Sequence, residues 1–446
     1  MKRTLTIIAL CLFTIYGSYA QLKKWTLQEC VEYAVENNLS IAQFELDLEN
    51  AKVDEKDAFG ALLPDLNGDG RITENRGLSF NPTSQEPVDT QLDFVGNVTS
   101  RVVLFDGLRN YRQLSRAKLN AISNQYRLDD LKDDIRLNVA NAYLDVLSNK
   151  EQLKVAQAQY AVTEQDMNRT KELVSSGVLP RGDLLEIEAT AANQEQQIIS
   201  TENQVLIARV SLAQLLQITD YENFDIADES FDIPPSDILS NSAKVIFDKA
   251  LTFRNDIKLS EANVKLAERD VQIAKGAYYP TLSAFINYNT RYSDQNLNVI
   301  DLSIIPFTEQ LYTFDGLAYG FQLNVPFFNG WSSRNGVKRS KIALEQAKLQ
   351  FDQTKLELES AIQQAHVNVT TFYKSYEAAE KTLEARRLAY DYAKERYDVG
   401  LMNAFDFGQA QARVDNAEAD VIRTKYDYIF RLKILEFYFG IPITLD

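Results

Sequence analysis

The stretch PDLNGDGRIT contains the residue types that most resemble a metal-ligand site in this chain. Asp65, Asn67 and Asp69 occupy alternate positions and Gly70 follows them, which is how an EF-hand calcium loop begins. Such a loop needs a bidentate Glu at its twelfth position, where this sequence has Arg76. Alternating polar residues are also typical of one face of a β-strand. We therefore predict a strand here and no metal site.

No other residue pattern points to catalysis. The sequence has one His, three Met and two Cys, and it lacks the HExxH, GxSxG and P-loop patterns. His366 lies in the apolar register of a predicted helix, at a position that Tyr143 holds in a first copy of the same pattern. Helix packing is favoured for it over a ligand or proton-relay role. We therefore predict neither an enzyme nor a cofactor.

Residues 1–20 are predicted to be a signal peptide. Lys2 and Arg3 precede an apolar run that ends at small residues before Gln21. The run is shorter than the roughly 20 residues that span a bilayer, which disfavours the alternative of a retained transmembrane anchor. Cleavage would leave Cys30 as the single cysteine, so no intramolecular disulfide is expected in the exported chain.

The charge of the chain argues against nucleic acid as a partner. It has 47 basic and 63 acidic residues, and the net charge is −16. Both signs are spread along the sequence without a basic face of the kind that binds phosphates.

An internal duplication organises the chain. A shift of about 216 residues superposes Ala34 on Ala250, and a shift of about 223 residues superposes Gly177 on Gly400. The change of offset falls between about residues 74 and 92, which predicts a longer loop in the second copy. The predicted organisation is a signal peptide (1–20), a first structural repeat (21–218), a linker or equatorial region (219–240) and a second structural repeat (241–446).

Each repeat contains a long stretch without Gly or Pro in which apolar residues recur at steps of three and four. These stretches predict helical hairpins over about 108–218 and 332–440, with tips at Gly177 and Gly400. An unbroken helix of this length would be on the order of 100 Å long. An autonomous coiled coil is the alternative interpretation.

Period-two alternation predicts four strands, at about 65–76, 93–104, 281–292 and 316–328. Each has one apolar and one polar face, as in a transmembrane strand with lipid outside and water inside. The half-buried strands of a soluble sandwich are the alternative. The polar residues that would line the lumen are Asp65, Asn67, Asp69, Asn97, Thr99, Arg101, Asn287 and Asn324.

Four strands are too few for a closed barrel. An open sheet in lipid leaves unpaired backbone groups that each cost several kcal/mol, and about eight strands form the smallest membrane barrel. The strand count therefore predicts that a barrel closes between chains.

Several motifs resemble the TolC family of outer-membrane efflux proteins. They are the N-terminal WTLQECVEYAVENN, Pro64 and Pro280 before the strands, LFDG at 104–107 with FFNG at 327–330, and the tips LVSSGVLP at 173–180 and RYDVGLM at 396–402. The resemblance implies a mainly α protein with a transmembrane β-barrel. Three chains would form a 12-stranded barrel, with four strands per chain, continuous with a long periplasmic α-barrel.

The resemblance also implies a location and partners. The expected location is the outer membrane of a Gram-negative bacterium, in contact with its lipid and extending into the periplasm. The homotrimer would be the exit duct of a tripartite efflux pump or type I secretion system, served by a periplasmic adaptor (membrane fusion) protein and an inner-membrane transporter of RND or ABC type. The expected adaptor-docking residues are Ser176, Gly177, Val178, Leu179, Val399, Gly400, Leu401 and Met402.

The family's periplasmic gate is only partly present. Family members have a tyrosine three residues before the tip glycine, an arginine two after it, and acids six and nine after it. Tyr397 and Asp406 match, whereas Met402 replaces the arginine and Gln409 replaces the second acid. We take Tyr397, Asp406, Gln409 and Asp183, the repeat partner of Asp406, as gate candidates. A helix N-cap is an equal alternative for both aspartates.

A periplasmic adaptor or scaffold without a membrane barrel is the competing prediction. Adaptors usually carry one helical hairpin within β-rich domains, whereas this chain has two hairpins and alternating strands. The sequence does not specify the cargo, although the scarcity of Met and His argues against dedicated copper or silver export.

Overall fold

The computed structural model describes residues 23–80, 86–227, 233, 236–298, 300 and 303–442. The predicted signal peptide and part of the predicted linker lie outside these residues. The described chain divides into two compact units. The helical unit comprises the segments up to Phe44, Leu128–Asn255 and from Lys355 onward, and the sheet unit comprises Glu45–Arg127 and Asp256–Thr354.

Most described residues are helical. The helices are α1 (Leu27–Asn37), α2 (Leu39–Gly60), α3 (Arg109–Ser175), α4 (Arg181–Leu215), α5 (Ala243–Phe253), α6 (Asn255–Gly276), α7 (Phe307–Thr313), α8 (Ser332–Asp398) and α9 (Ala404–Phe439). The strands are β1 (Lys24–Trp25), β2 (Asn67–Phe80), β3 (Pro87–Phe105), β4 (Asp225–Ile226), β5 (Thr281–Ser293) and β6 (Gly316–Asn324). Among the described helices, none combines the length and the apolar character needed to cross a bilayer.

Some element boundaries differ from the sequence-based ones. The β2 and β3 strands extend beyond their predicted limits, to Phe80 and back to Pro87, because the hairpin continues past an irregularity near Arg76. The β6 strand ends at Asn324 and not at 328. Pro326, which cannot donate a backbone hydrogen bond to a strand ladder, follows closely.

The core of the helical unit forms around the N-terminal segment. The Thr26 hydroxyl accepts a hydrogen bond from the Glu29 amide, and the Glu29 carboxylate accepts one from the Thr26 amide, so α1 begins with a capping box. The Tyr143 hydroxyl donates to the Trp25 carbonyl (3.3 Å) and is buried with Cys30. Burial raises the pKa of the Cys30 thiol to about 12. The bond from Tyr143 to Trp25 fixes the first strand, β1, to the helices.

The sheet unit contains one antiparallel sheet in the order β2-β3-β5-β6. Within each repeat the two strands pair with each other, β2 with β3 and β5 with β6. The β3 strand also pairs with β5, which joins the two repeats. The β2 and β6 strands are the two edges. Within the described residues, neither edge is paired on its outer side.

Two glycines join the sheet to its helices. Gly107 ends the turn after β3 with φ +72°, and a Cβ there would overlap the carbonyl oxygen of Gly276, the last residue of α6. Gly330, its repeat partner, also has positive φ (+61°), but a Cβ there would meet nothing within 4 Å. The two positions therefore share a backbone conformation and differ in packing.

We expect Gly107→Ala to destabilise the protein more than Gly330→Ala. The left-handed conformation costs a non-glycine residue about 1–2 kcal/mol at both positions. Overpacking against Gly276 adds about 1–3 kcal/mol at Gly107 alone. Denaturant unfolding followed by circular dichroism measures both variants. Equal losses of stability would show that the close contact at Gly276 does not constrain the fold.

Candidate functional site

The strand register collects the predicted polar residues on one face of the sheet. Directly paired residues of antiparallel strands project to the same side. Asp69 is opposite Asn97, and Thr99 is opposite both Asn67 and Asn287. The residues on this face are Asn67, Asp69, Asn97, Thr99, Arg101, Asn287 and Asn324, and Asp65 lies beside Arg101 just before β2. The structure therefore brings all eight candidates onto one surface.

Hydrogen bonds across the strands connect these polar side chains. The side-chain Nδ2 of Asn97 donates to Asp69 Oδ2 (3.0 Å), and that of Asn287 donates to Thr99 Oγ1 (2.7 Å). Asp65 Oδ1 accepts from the Arg101 backbone amide (2.7 Å). Both acids of the calcium-like stretch are thus engaged in extended backbone and cross-strand pairing. In the described part of the chain, no group of three His, Cys, Asp or Glu could hold a metal ion.

The opposite face is apolar and exposed. Tyr319 and Phe321 on β6 are 78% and 75% exposed, and Ile286 beside them is 47% exposed. Other exposed apolar residues of this face are Ile72, Val98, Tyr288, Leu317 and Leu323. A contiguous exposed apolar surface of this kind marks contact with a partner or with lipid.

The tips of the two helical hairpins have the same backbone structure. Gly177 and Gly400 have φ values of +77° and +75°, as at the left-handed end of a helix. Val178 and Leu401 each donate their amide to a carbonyl five residues back, at Leu173 and Arg396, closing a Schellman motif. The tips expose apolar side chains: Val178 is 67%, Val399 69% and Leu401 71% exposed. Ser176 and Gly177 are also exposed, whereas Leu179 and Met402 are half-buried.

The N-cap interpretation of Asp406 and Asp183 is wrong. The N-cap of α9 is Asn403. Its side-chain oxygen accepts from the backbone amide of Asp406 (2.8 Å), and its side-chain Nδ2 donates to Asp406 Oδ2 (3.0 Å). The α4 cap position is held by Pro180, and Asp183 is the third helical residue. Both helices begin two residues before these aspartates, which places their carboxylates in the first turn and not at the cap. Asp406 and Gln409 are exposed, and Asp183 is half-buried.

Tyr397 faces the first hairpin. Its ring stacks on buried Phe407 (centroids 4.7 Å apart, 4° between planes), and its hydroxyl is buried beside Thr170 without a hydrogen bond of normal geometry to a described residue. Burial raises the pKa of this hydroxyl, and the charge of Asp183 adds to the increase. Of the other three gate candidates, Asp183 is the one whose charge acts on this hydroxyl.

An ion pair that the sequence did not reveal lies next to Tyr397. Arg169 of α3 donates to Asp398 of α8 (3.1 Å), which joins the first hairpin to the second near the tips. Asp166 and Lys394 line the same cleft of about 400 Å³. Burial raises the pKa of Asp166. Neither partner of the ion pair has a counterpart in the other repeat, so the duplication gave no signal for it.

A second polar cluster lies farther along α9. Asp415 accepts a hydrogen bond from the Gln194 side chain (2.9 Å) beside a cleft of about 350 Å³ that Gln409 also lines. Glu418 accepts from Gln159 (2.8 Å) and from Arg387 (2.7 Å). Burial raises the pKa of Asp415 to about 6, an increase that the Gln194 hydrogen bond opposes. His366 on α8 is half-buried, and its Nε2 has no hydrogen-bond partner among the described residues.

We expect Asp415→Asn to stabilise the protein at pH 7.5 by about 2–3 kcal/mol. The carboxyl has a higher pKa in the folded protein (about 6) than in the unfolded chain (about 3.9), so the charged form destabilises the fold above pH 6. The difference should shrink as the pH falls from about 6 to about 4, and it should vanish at lower pH, where Asp415 is protonated in both states.

Chemical unfolding at several pH values measures this effect. Asp420→Asn is the matched control, since Asp420 is an exposed acid on the same helix. A stability difference that does not change with pH would contradict the assignment of the high pKa to Asp415.

Comparison with known proteins gives a consistent match to one family. A family model described as outer membrane efflux protein matches residues 31–216 and 246–440. The chain is 20% identical over 376 residues to the outer membrane protein TolC of Vibrio cholerae serotype O1, which is 83% of this chain and 80% of that protein. It is 23% identical over 363 residues to the proteases secretion protein PrtF of Dickeya chrysanthemi, covering 78% and 73% of the two chains.

The fold matches solved structures as well. The Campylobacter jejuni CmeC outer membrane channel superposes with a TM-score of 0.79 at 19% identity, covering 93% of this chain and 85% of that one. These matches extend over both repeats and do not favour an adaptor or scaffold protein. The chain therefore belongs to the outer membrane efflux protein family, whose members are channels of the outer membrane that span the periplasm and are not enzymes.

Proposed function

We propose that this protein is the homotrimeric exit duct of a tripartite efflux pump or type I secretion system. Three chains, each with four strands, form a 12-stranded barrel in the outer membrane that continues into a long periplasmic α-barrel. The duct is a passive conduit. Contact with a periplasmic adaptor (membrane fusion) protein opens it, and an inner-membrane transporter of RND or ABC type drives the cargo.

The main support for this proposal is the sheet, which has two different faces and two edges that no other described strand pairs. One face is a hydrogen-bonded polar surface, and the other exposes Tyr319, Phe321 and neighbouring apolar residues. Water on the first face and lipid on the second satisfy both surfaces. In lipid, the unpaired backbone groups of β2 and β6 require partners, which further copies of the same sheet would supply.

The predicted partners are supported by the tips and by the relatives. Val178, Val399 and Leu401 expose apolar side chains at the hairpin ends, which suits docking of a second protein. Relatives include a protein described as a probable efflux pump outer membrane protein and one described as a proteases secretion protein. The sequence has no nucleotide-binding pattern, so the energy for transport comes from the transporter.

We further propose that the cluster around Tyr397 holds the periplasmic mouth closed. The Arg169–Asp398 ion pair joins the tip of the second hairpin to the first. Tyr397, whose ring is held on Phe407 within the second hairpin, places its hydroxyl beside Thr170 of the first. This arrangement would take the place of the missing arginine and second acid, at Met402 and Gln409. The exposed Asp406 carboxylates of three chains would form a ring that prefers cations.

We expect Tyr319→Lys to prevent membrane assembly and Ala318→Lys to permit it. The two residues are adjacent on β6 and both exposed, but they lie on opposite faces of the sheet. A lysine facing the bilayer midplane costs about 2–4 kcal/mol per copy, whereas one facing a water-filled lumen costs little. Fractionation with outer membranes and heat-modifiable migration on gels measure assembly. Equal assembly of both variants would contradict a lipid-facing Tyr319.

Single-channel recording tests the proposed gate. We expect Arg169→Gln and Asp398→Asn each to raise the resting conductance, because either removes the charge pair that joins the hairpins. Arg423→Gln is the matched control, since Arg423 pairs with Asp420 within the same helix. The same recordings should show weaker divalent-cation block for Asp406→Asn. Unchanged currents in the Arg169 and Asp398 variants would remove this pair from the gate.

A further inference from the structure

A short helix covers part of the apolar face of the sheet. It lies in the connection between β5 and β6, where the second repeat carries the longer loop. We call residues 303–315, which contain α7, the α7 cap. Its role is separate from the lumen and the gate, and the inference below rests on the proposed membrane barrel.

Gln310 attaches the α7 cap to the sheet. The β6 strand begins at Gly316, opposite Asn289, so the last residues of β5 extend beyond it. Ser293 therefore has no partner residue on β6, and fully buried Gln310 hydrogen-bonds to its backbone instead. Gln310 Oε1 accepts from the Ser293 amide (3.0 Å), and its Nε2 donates to the Ser293 carbonyl (2.9 Å). The side-chain amide thus acts as the missing strand partner. Further bonds to the Asn296 side chain (2.7 Å) and the Ile305 carbonyl (2.7 Å) complete its hydrogen bonding.

The cap lies on the apolar side of the sheet. The Phe307 ring packs against Phe94 (5.7 Å between centroids) and Tyr292 (5.0 Å). These two residues are a cross-strand pair in the same register as Tyr288 and Ile286, which puts them on the apolar face. Two further hydrogen bonds join the cap to this face, from Thr290 Oγ1 to the Leu311 carbonyl (2.7 Å) and from the Tyr288 hydroxyl to Asp315 (3.2 Å).

The cap exposes several large apolar side chains and contains no Lys or Arg of its own. Ile304 is 55%, Phe307 46% and Tyr312 81% exposed. The sequence has no Lys or Arg between Arg291 and Arg334, and the cap itself carries the acids Glu309 and Asp315. Arg291 of β5 packs its guanidinium on the Phe314 ring (5.5 Å), and the cap itself has no cationic group with which to pair anionic phosphates. Its large exposed side chains other than Glu309 are aliphatic and aromatic.

We propose that the α7 cap is an anchor that inserts Ile304, Phe307 and Tyr312 into the outer leaflet of the membrane. Its ligand is the acyl-chain region of lipid just below the headgroups. The exposed side chains continue the apolar face of the sheet, so the same lipid that covers Ile286 and Tyr319 covers them. The cap lies at the ends of the strands away from α6 and α8, where aromatic residues of membrane barrels meet the interface.

Spin labelling of the full-length protein in lipid vesicles tests this anchor. Single cysteines replace Ile304, Tyr312, Tyr319 or Ala318 in a Cys30→Ser background, and collision with oxygen or with a water-soluble nickel chelate is measured. We expect labels at 304 and 312 to collide mainly with oxygen, as a label at 319 does. The label at 318, on the polar face, should collide mainly with nickel.

The reference positions separate failure of the anchor from failure of the barrel. Nickel access at 304 and 312, with oxygen access at 319, would overturn the anchor and leave the barrel intact. Nickel access at 319 would overturn the barrel itself. Immobile labels at 304 and 312 that neither reagent reaches would mean that a protein occupies this surface, and would also overturn the lipid assignment.

A second variant tests the role of Gln310. Gln310→Ala should release the cap, so that the label at 312 becomes mobile and at least several-fold more accessible to nickel. Gln322→Ala is the matched control, because Gln322 is exposed on β6 and faces the polar side. A label at 312 that keeps its oxygen access in Gln310→Ala would show that this side chain does not position the anchor.

Discussion

Backbone pairing at the edges of the four-stranded sheet is the constraint on which the other features of this protein depend. Every N–H and C=O group of a strand in lipid needs a partner, and β2 and β6 have none on their outer sides within the described residues. The proposed closure by further copies follows from that requirement. The same requirement accounts for Gln310, whose side-chain amide replaces a strand where β6 is too short to pair with Ser293.

The helical unit uses different kinds of contact around its N-terminal segment and toward the hairpin tips. The core around the N-terminal segment of the helical unit is apolar, with Tyr143, Cys30 and neighbouring side chains fully buried. Toward the tips, hydrogen bonds between side chains join the helices: Gln411 to Thr163 (2.7 Å) and Gln194 to Asp415. Polar contacts can be exchanged for water at a modest net free energy, whereas apolar packing cannot. The distribution therefore suits hairpins that stay anchored at one end and rearrange at the other.

Some residues near the hairpin tips could be identified from motif spacing, and others could not. Spacing from the tip glycine selected Tyr397, and the structure gives that ring a defined place on Phe407. Spacing also selected Asp406, but Asn403 and not the aspartate caps the start of the helix. The Arg169–Asp398 pair carries no motif, because its partners come from different hairpins and depend on which helices are neighbours.

The sequence by itself determined the family, the long helical hairpins and the alternating strands. Each of these depends on local periodicity or on short motifs, which are present before the chain folds. Tertiary structure decided the features that depend on strand register and on which distant segments become neighbours. The pairing of Thr99 with Asn287 turns separate polar residues into one surface, and Gln194 and burial together set the ionisation of Asp415. The α7 cap belongs to the second group, since no period or motif in its sequence indicates that Gln310 would take the place of a strand.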